Sequence, residues 1–287
     1  MRCLEHVSAI CSHIRWESIV VDNGSTDETP RFLASFVRSF PWSAQIVLEP
    51  APGGMRSRNA GAEAARGEIL IFLDNDCYPQ PDIVDQYARI FRDPMIGFAG
   101  GRILPYRCGQ ENQGAESTLA LRDSEVEIRY PAGRPVPSGI IQGGNMALRR
   151  RALMAVGGFD LRMGPGTRFP AEDWEILTRI GAEGWAGGYF PGPAAAHDHP
   201  RKPGEARRRL RSYHIGMGAV HLKLLANPRT RPIYLPHILR RHLGDMKFHQ
   251  LKVATQLYGG MLFLHENRGS LADAIRTGDE RLSLRMK

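Results

Sequence analysis

Short β-branched runs that end in acids and alternate with helix-like stretches constrain this chain more than any other feature. The segment "WESIVVDNGSTDETPRFLASF" opens with the apolar run Ile19 to Val21, passes through polar turn residues and predicts a helix beginning near Pro30. "AQIVLEP" supplies a second short strand, and "GGMRSRNAGAEAARGEILIFLDND" a Gly-rich loop, a helix stopped by Gly67 and the strand Ile69 to Leu73. Strands that alternate with helices predict an α/β fold with a mostly parallel, doubly wound sheet, which takes its ligands beyond the carboxyl ends of its strands. Two acidic loops, Asp22 to Asp27 and Asp74 to Asp76, fall at such ends. Further on, "PSGIIQGGNMALRRRALMAVGGFD" predicts strand, Gly turn and helix, and "EDWEILTRIGAEGW" a helix with acids in its first turn. The last third predicts helices broken at Pro228, Pro232 and Pro236.

The 287 residues suffice for one large α/β domain with a helical appendage. Cys3, Cys11, Cys77 and Cys108 form neither a CxxC pair nor a dense disulfide framework, which fits reduced thiols without an assigned role. No stretch reaches about 18 consecutive apolar residues, and the first residues lack the basic start and apolar run of a signal peptide. The expectation is a cytoplasmic chain, with peripheral contact on the inner face of the membrane left open. Residues 201–287 hold 18 Lys and Arg against 6 Asp and Glu, including all the lysines, and "RKPGEARRRLR" opens that segment. A composition boundary near residue 200 follows, dividing residues 1–200 from a basic helical region, 201–287.

Four motifs in order, "VDNGSTDET", "RSRNAGAEAARGEILIFLDND", "GGNMALRRRALMAVGGFD" and "EDWEILTRI", resemble those of family 2 glycosyltransferases of the nucleotide-sugar-binding GT-A fold. The resemblance covers roughly residues 4 to 200 and implies a Rossmann-like sheet flanked by helices. It also implies an inverting enzyme that moves a sugar from a nucleotide-diphosphate donor to a hydroxyl of a glycan or lipid-linked acceptor, in cell-envelope polysaccharide synthesis. Such enzymes open with a strand like "VSVVIPTYN" before the helix that "LEHVSAICSHI" resembles. That strand is absent here, so residues 1–200 read as an N-terminally incomplete domain. A non-catalytic remnant that binds nucleotide sugar or glycan is therefore the alternative.

The chemistry accounts for the residue types. A departing nucleotide diphosphate gains negative charge that a divalent magnesium or manganese ion can neutralise, and such hard cations take oxygen ligands. Asp76 is the expected metal ligand, while by resemblance Asp74 touches the ribose or assists from behind. Asp-Asn-Asp also occurs as a solvated turn or helix cap. Asp22 and Asn23 stand where the family commonly has two acids on the nucleoside; the amide at Asn23 could pair with several base edges or form an Asx turn. Arg58 and Asn59 resemble the family's RN pair near the donor, with Arg58 suited to phosphate or to bracing Asp74.

On the acceptor side, transfer needs a base for the attacking hydroxyl. The resemblance gives that role to Asp173 and gives Glu172 the acceptor or the local structure; the plainer reading is two acids complementing a helix dipole. In "AAAHDHP", His197 matches the place where a histidine completes the metal site in similar enzymes, with His199 the alternative. In the basic region, Ile215, Met217, Val220, Leu222 and Leu225 predict an amphipathic helix either lying on an anionic membrane or packed with a solvated basic edge. No nucleic-acid partner is expected, because no known binding module accompanies the charge. A nucleotidyltransferase is disfavoured, since no Gly-rich, Arg/Lys-containing phosphate loop follows the first strand.

Overall fold

The computed structural model describes residues 2–106, 121–198, 205–246 and 249–269. The first half alternates as the sequence predicts: α1 (Arg2–Ser8), β1 (Glu17–Asp22), α2 (Thr29–Ser39), β2 (Ser43–Leu48), α3 (Gly54–Ala64) and β3 (Ile69–Leu73). Then follow β4 (Cys77–Pro79), α4 (Ile83–Ile90), β5 (Ile96–Pro105), β6 (Ile128–Tyr130), β7 (Asn145–Arg149) and α5 (Arg150–Ala155). The remaining elements are α6 (Glu172–Ala182), β8 (Ala186–His197), α7 (Glu205–Ala226), α8 (Arg231–Met246) and α9 (Gln250–Glu266). The two longest ladders, β1–β2 and β5–β8, run parallel; β7 pairs antiparallel with β3 and β5, and the short β4 and β6 pair antiparallel with β8.

Helices cover both faces of this sheet, and the side-chain period of two sorts each strand between two apolar layers. Met146 and Leu148 of β7 face one layer, with Met55 and Ala62 of α3, Leu153 of α5 and Ile176 and Ile180 of α6. Ala147 between them faces the other, with Val7 of α1, Phe36 of α2 and Ile83 and Tyr87 of α4. Burial of "NMALR" on both faces explains why it is a strand where the sequence predicts a helix. The three apolar residues between the buried Asn145 and Arg149 are too few to set a period, and "SGIIQ" before the run is a turn.

The sheet is interrupted between β1 and β3. Among the described residues β1 pairs only with β2, and β3 only with β7. Both nevertheless belong to the same two layers: Ile19 and Phe72 pack on one, Val20, Ile69 and Ile71 on the other. Helix α3 spans the interval from Gly53, whose N–H donates to Asn23 Oδ1 at 2.9 Å, to the Arg66–Gly67 turn, whose N–H groups donate to the Glu17 carboxylate at 2.7 and 3.1 Å. The beginning of α1 reaches the carboxyl end of β3, where the Cys3 thiol donates to the Asp74 carbonyl.

Helices α7–α9 share a third apolar cluster with the start of α6 and the loop before it, joining Met163, Phe169, Ala171 and Trp174 to Ala219, Val220, Leu224, Tyr234, Ile238 and Phe263. Ile215, Met217, Leu222 and Leu225 pack against the same cluster, so the apolar face of α7 turns inward and is not a membrane face. Two glycines permit the closeness. A Cβ on Gly216 would lie 1.4 Å from the Pro170 carbonyl oxygen, and one on Gly218 1.8 Å from that of Gln256. Proline does not break α8: Pro232 lies in its first turn, where no helical donor is needed, and Pro236 is inside it. Buried charges reinforce this junction. Lys223 of α7 donates to Asp160 at 2.5 Å and to Glu175 of α6, while Arg162 and Arg179 pair with the same two acids.

Candidate active site

The site gathers at the carboxyl ends of β1 and β3. At the end of β1 the buried Asp22 accepts the Ser25 N–H at 3.0 Å, closing a turn through Gly24, whose φ of 69° favours glycine. Asn23 is occupied internally: its amide donates to the Glu49 and Ala51 carbonyls at 2.8 and 2.6 Å and accepts from Gly53. It shapes the loop, and its own hydrogen-bonding edge is turned into the backbone.

At the end of β3, Asp74 is half-exposed and accepts from Arg58 Nη2 at 2.7 Å. The same nitrogen donates to the Gly143 carbonyl at 3.1 Å, and Gly143 N–H donates to Asp173 Oδ2 at 3.3 Å. Arg58 thereby links the acid at the sheet edge to the acid on α6. Its Nη1 is buried without a hydrogen-bond partner among the described residues, a spare donor suited to an anionic oxygen. Asn59 instead holds the "GGFD" loop, donating to the Phe159 carbonyl at 2.9 Å and accepting the Phe159 N–H at 2.8 Å. This places it in the wall behind the site.

Asp76 Oδ2 lies 3.3 Å from His197 Nε2, the last residue of β8. With the Cys77 sulfur, these form a group whose ligand atoms all lie within 4.8 Å of one another. The strands create it: β4 pairs Cys77 directly with His197, and Asp76 immediately precedes. Burial and the charges of Asp74 and Asp76 push the Cys77 thiol far up, so it stays protonated and is a poor ligand for a hard cation. A carboxylate and an imidazole remain, a mixed oxygen–nitrogen pair that suits a first-row ion such as manganese better than magnesium. His199 lies outside the described residues.

Helix α6 begins with the acids. Ala171 just before them has φ 112°, the one positive-φ non-glycine residue described, and its N–H donates to Glu172 at 3.1 Å. Asp173 accepts from Trp174 N–H at 2.6 Å and from Gly143 N–H. Burial, then the neighbouring Glu172 charge, push its carboxyl up to about 7 against the opposing pull of these bonds and Arg58. Motif reading did not find Cys77 beside the metal candidates, the strained Ala171 or the Lys223 network. Their partners lie far away in sequence.

A helix-flanked sheet with acids at its carboxyl edge and a further acid pair opening a facing helix defines the glycosyltransferase class of GT-A type. A profile described as glycosyl transferase family 2 matches residues 1–157, and the chain belongs to that family. The glycosyltransferase AglE of Haloferax volcanii is 29% identical over an alignment of 173 positions that covers 54% of this chain and 57% of that protein. Two solved structures share the fold. The mannosyltransferase PcManGT of Pyrobaculum calidifontis, in complex with GDP-Man and Mn2+, superposes with a TM-score of 0.59 at 18% identity, covering 98% of this chain and 80% of the other. S. aureus TarS 1-349 in complex with UDP-GlcNAc gives 0.53 at 15% identity, covering 98% and 85%.

Proposed function

We propose that this chain is an inverting glycosyltransferase that moves a sugar from a nucleotide-diphosphate sugar to a hydroxyl of a glycan or lipid-linked acceptor in cell-envelope polysaccharide synthesis. The observation that carries the reading is the link through Arg58, which ties Asp74 to Gly143 and thence to Asp173. Donor-side and acceptor-side acids so joined keep a fixed spacing. The bound nucleotide sugars of PcManGT and TarS support the donor class, and the manganese of PcManGT supports a divalent ion here.

In this reading Asp22 and its turn receive the nucleoside, Asp74 the ribose, and the spare Nη1 of Arg58 a phosphate oxygen. Asp76 and His197 would hold the ion, which supplies charge neutralisation for the departing diphosphate. Asp173 takes the proton of the acceptor hydroxyl as that oxygen bonds the anomeric carbon and the bond to the diphosphate breaks. One displacement inverts the configuration once. A carboxyl near 7 suits a base at neutral pH, and the N–H groups of Gly143 and Trp174 fix its direction.

The interruption between β1 and β3 favours a second reading, a chain that binds nucleotide sugar without turnover. Calorimetry with a panel of nucleotide sugars, with and without Mn2+, tests donor binding, and chromatography of the products tests turnover. Asp76→Asn is expected to abolish the metal-dependent part of donor affinity with an unchanged circular dichroism spectrum, because the amide is a weaker ligand for a hard cation. Binding with no turnover on any acceptor leaves the second reading; no binding of any donor refutes both.

A further inference from the structure

The helical layer is amphipathic in an inverted sense. On α8, Tyr234 and Ile238 point into the third cluster, while Leu235, Leu239, Leu243 and Met246 lie on the opposite side, 39 to 65% exposed. On α9, Val253, Gln256, Gly259 and Phe263 are buried, while Leu251, Leu257, Tyr258, Met261 and Leu264 are exposed, Leu251 by 83%. Between Leu251 and Leu264 the sole charged residue of α9 is Lys252, which turns aside to pair with Asp245 of α8 at 2.7 Å. A second cross-link, His242 Nε2 to Gln256 Oε1 at 2.9 Å, holds the two helices together. Monomers rarely leave two adjacent helices with apolar outer rows, and such a surface normally has an occupant.

We propose that the outward face of the α8–α9 pair lies in the interface of an anionic lipid bilayer. The proposal deepens the membrane-linked acceptor of the reading above. Charge selects the occupant. Arg208, Arg209, Arg211, Arg240 and Arg268 of the same helical layer are exposed. The described acidic side chains of α7–α9 are Asp245 and Glu266, and both are consumed in ion pairs, the latter with Arg168 at 2.6 Å. A basic helical layer with an apolar outer face is complementary to anionic headgroups above acyl chains, and its excess positive charge opposes pairing with a second identical copy. No described helix is long and apolar enough to cross a membrane, so the contact is one of lying on the surface. The contact face is therefore α8 and α9, whereas α7 turns its apolar side to the core. Through Trp174 and Ala171 that core joins the helical layer to the start of the helix carrying Asp173.

The test is flotation of the full chain with phosphatidylcholine vesicles, with and without 30 mol% phosphatidylglycerol, at low and high salt. Binding is expected with the anionic vesicles at low salt and should weaken as salt rises. Leu239→Glu with Met261→Glu should reduce partitioning at least about tenfold, and Arg240→Gln about fivefold. These side chains are outward, so circular dichroism and donor affinity measured on the same samples should match the parent. Donor binding lost with flotation intact refutes the transferase reading and leaves the membrane face standing. Equal flotation of parent and both variants, or none by the parent, overturns the proposal. So does a lipid-free dimer that the Glu variants dissociate, or vesicle binding that appears only when residues 270–287 are removed.

Discussion

Replacing Lys223 by methionine tests how the helical layer is fixed to the helix that carries the acids. Lys223, Asp160 and Glu175 have side chains only 5, 1 and 3% exposed, and the ammonium bonds both carboxylates. Asp160 keeps Arg162 at 2.7 Å and Glu175 keeps Arg179 at 2.8 Å, so removing the lysine leaves two matched pairs. The stem is replaced in kind. Two charge-assisted bonds are lost, each contributing about 1.5–3 kcal/mol, while the desolvation cost of a buried ammonium is relieved; a net loss of about 2 kcal/mol is expected. At about 2–4 °C per kcal/mol for a chain of this order, Tm falls by roughly 4–8 °C. Asp160→Asn or Glu175→Gln should cost more, about 3–5 kcal/mol, because each leaves buried cations in excess. Both carboxylates are held below their ordinary range by these cations. Their contribution is therefore present above the unfolded values near 4 and is lost as pH falls. Urea titration at pH 7 measures all three variants; a lysine loss exceeding either acid loss, or none at all, refutes the charge count.

The raised Asp173 carboxyl predicts that kcat/KM rises about tenfold between pH 6 and 8 with a midpoint near 7. The native state then binds more protons than the unfolded between about pH 4 and 7, so stability should fall as pH rises through that window, and Asp173→Asn should remove the slope. Glu172→Gln should move the midpoint to lower pH, since the Glu172 charge raises Asp173; an unmoved midpoint in a stopped-assay pH profile contradicts this. Ala171→Gly relieves a positive φ and should stabilise by about 1 kcal/mol, raising Tm in a calorimetric scan, whereas a lower Tm would mean that no strain is stored there.

Much of the candidate site's placement was legible because its signals are local. Apolar runs ending in Asp22 and in Asp74 to Asp76, and two acids opening a helix, each sit within a few residues. What stayed hidden depends on distant partners. The amides of Asn23 and Asn59 look available in sequence, but backbone groups of residues 49–53 and of Phe159 occupy them. "NMALR" has no period to tell strand from helix, and only its place between β3 and β5 decides. The apolar residues of α7 and of α8–α9 resemble one another as text; packing alone determines which face turns outward.

The central claim is that Asp173 is the base of an inverting transfer, and Asp173→Asn tests it most directly. Donor affinity by calorimetry should be nearly unchanged, because the proposed function assigns the donor to Asp22, Asp74 and Asp76. Transfer to the acceptor should fall by about 10²- to 10⁴-fold, the usual contribution of a positioned base, and the parent's product should carry the anomeric configuration opposite to the donor's. Transfer within twofold of the parent, or a product of retained configuration, would contradict the account.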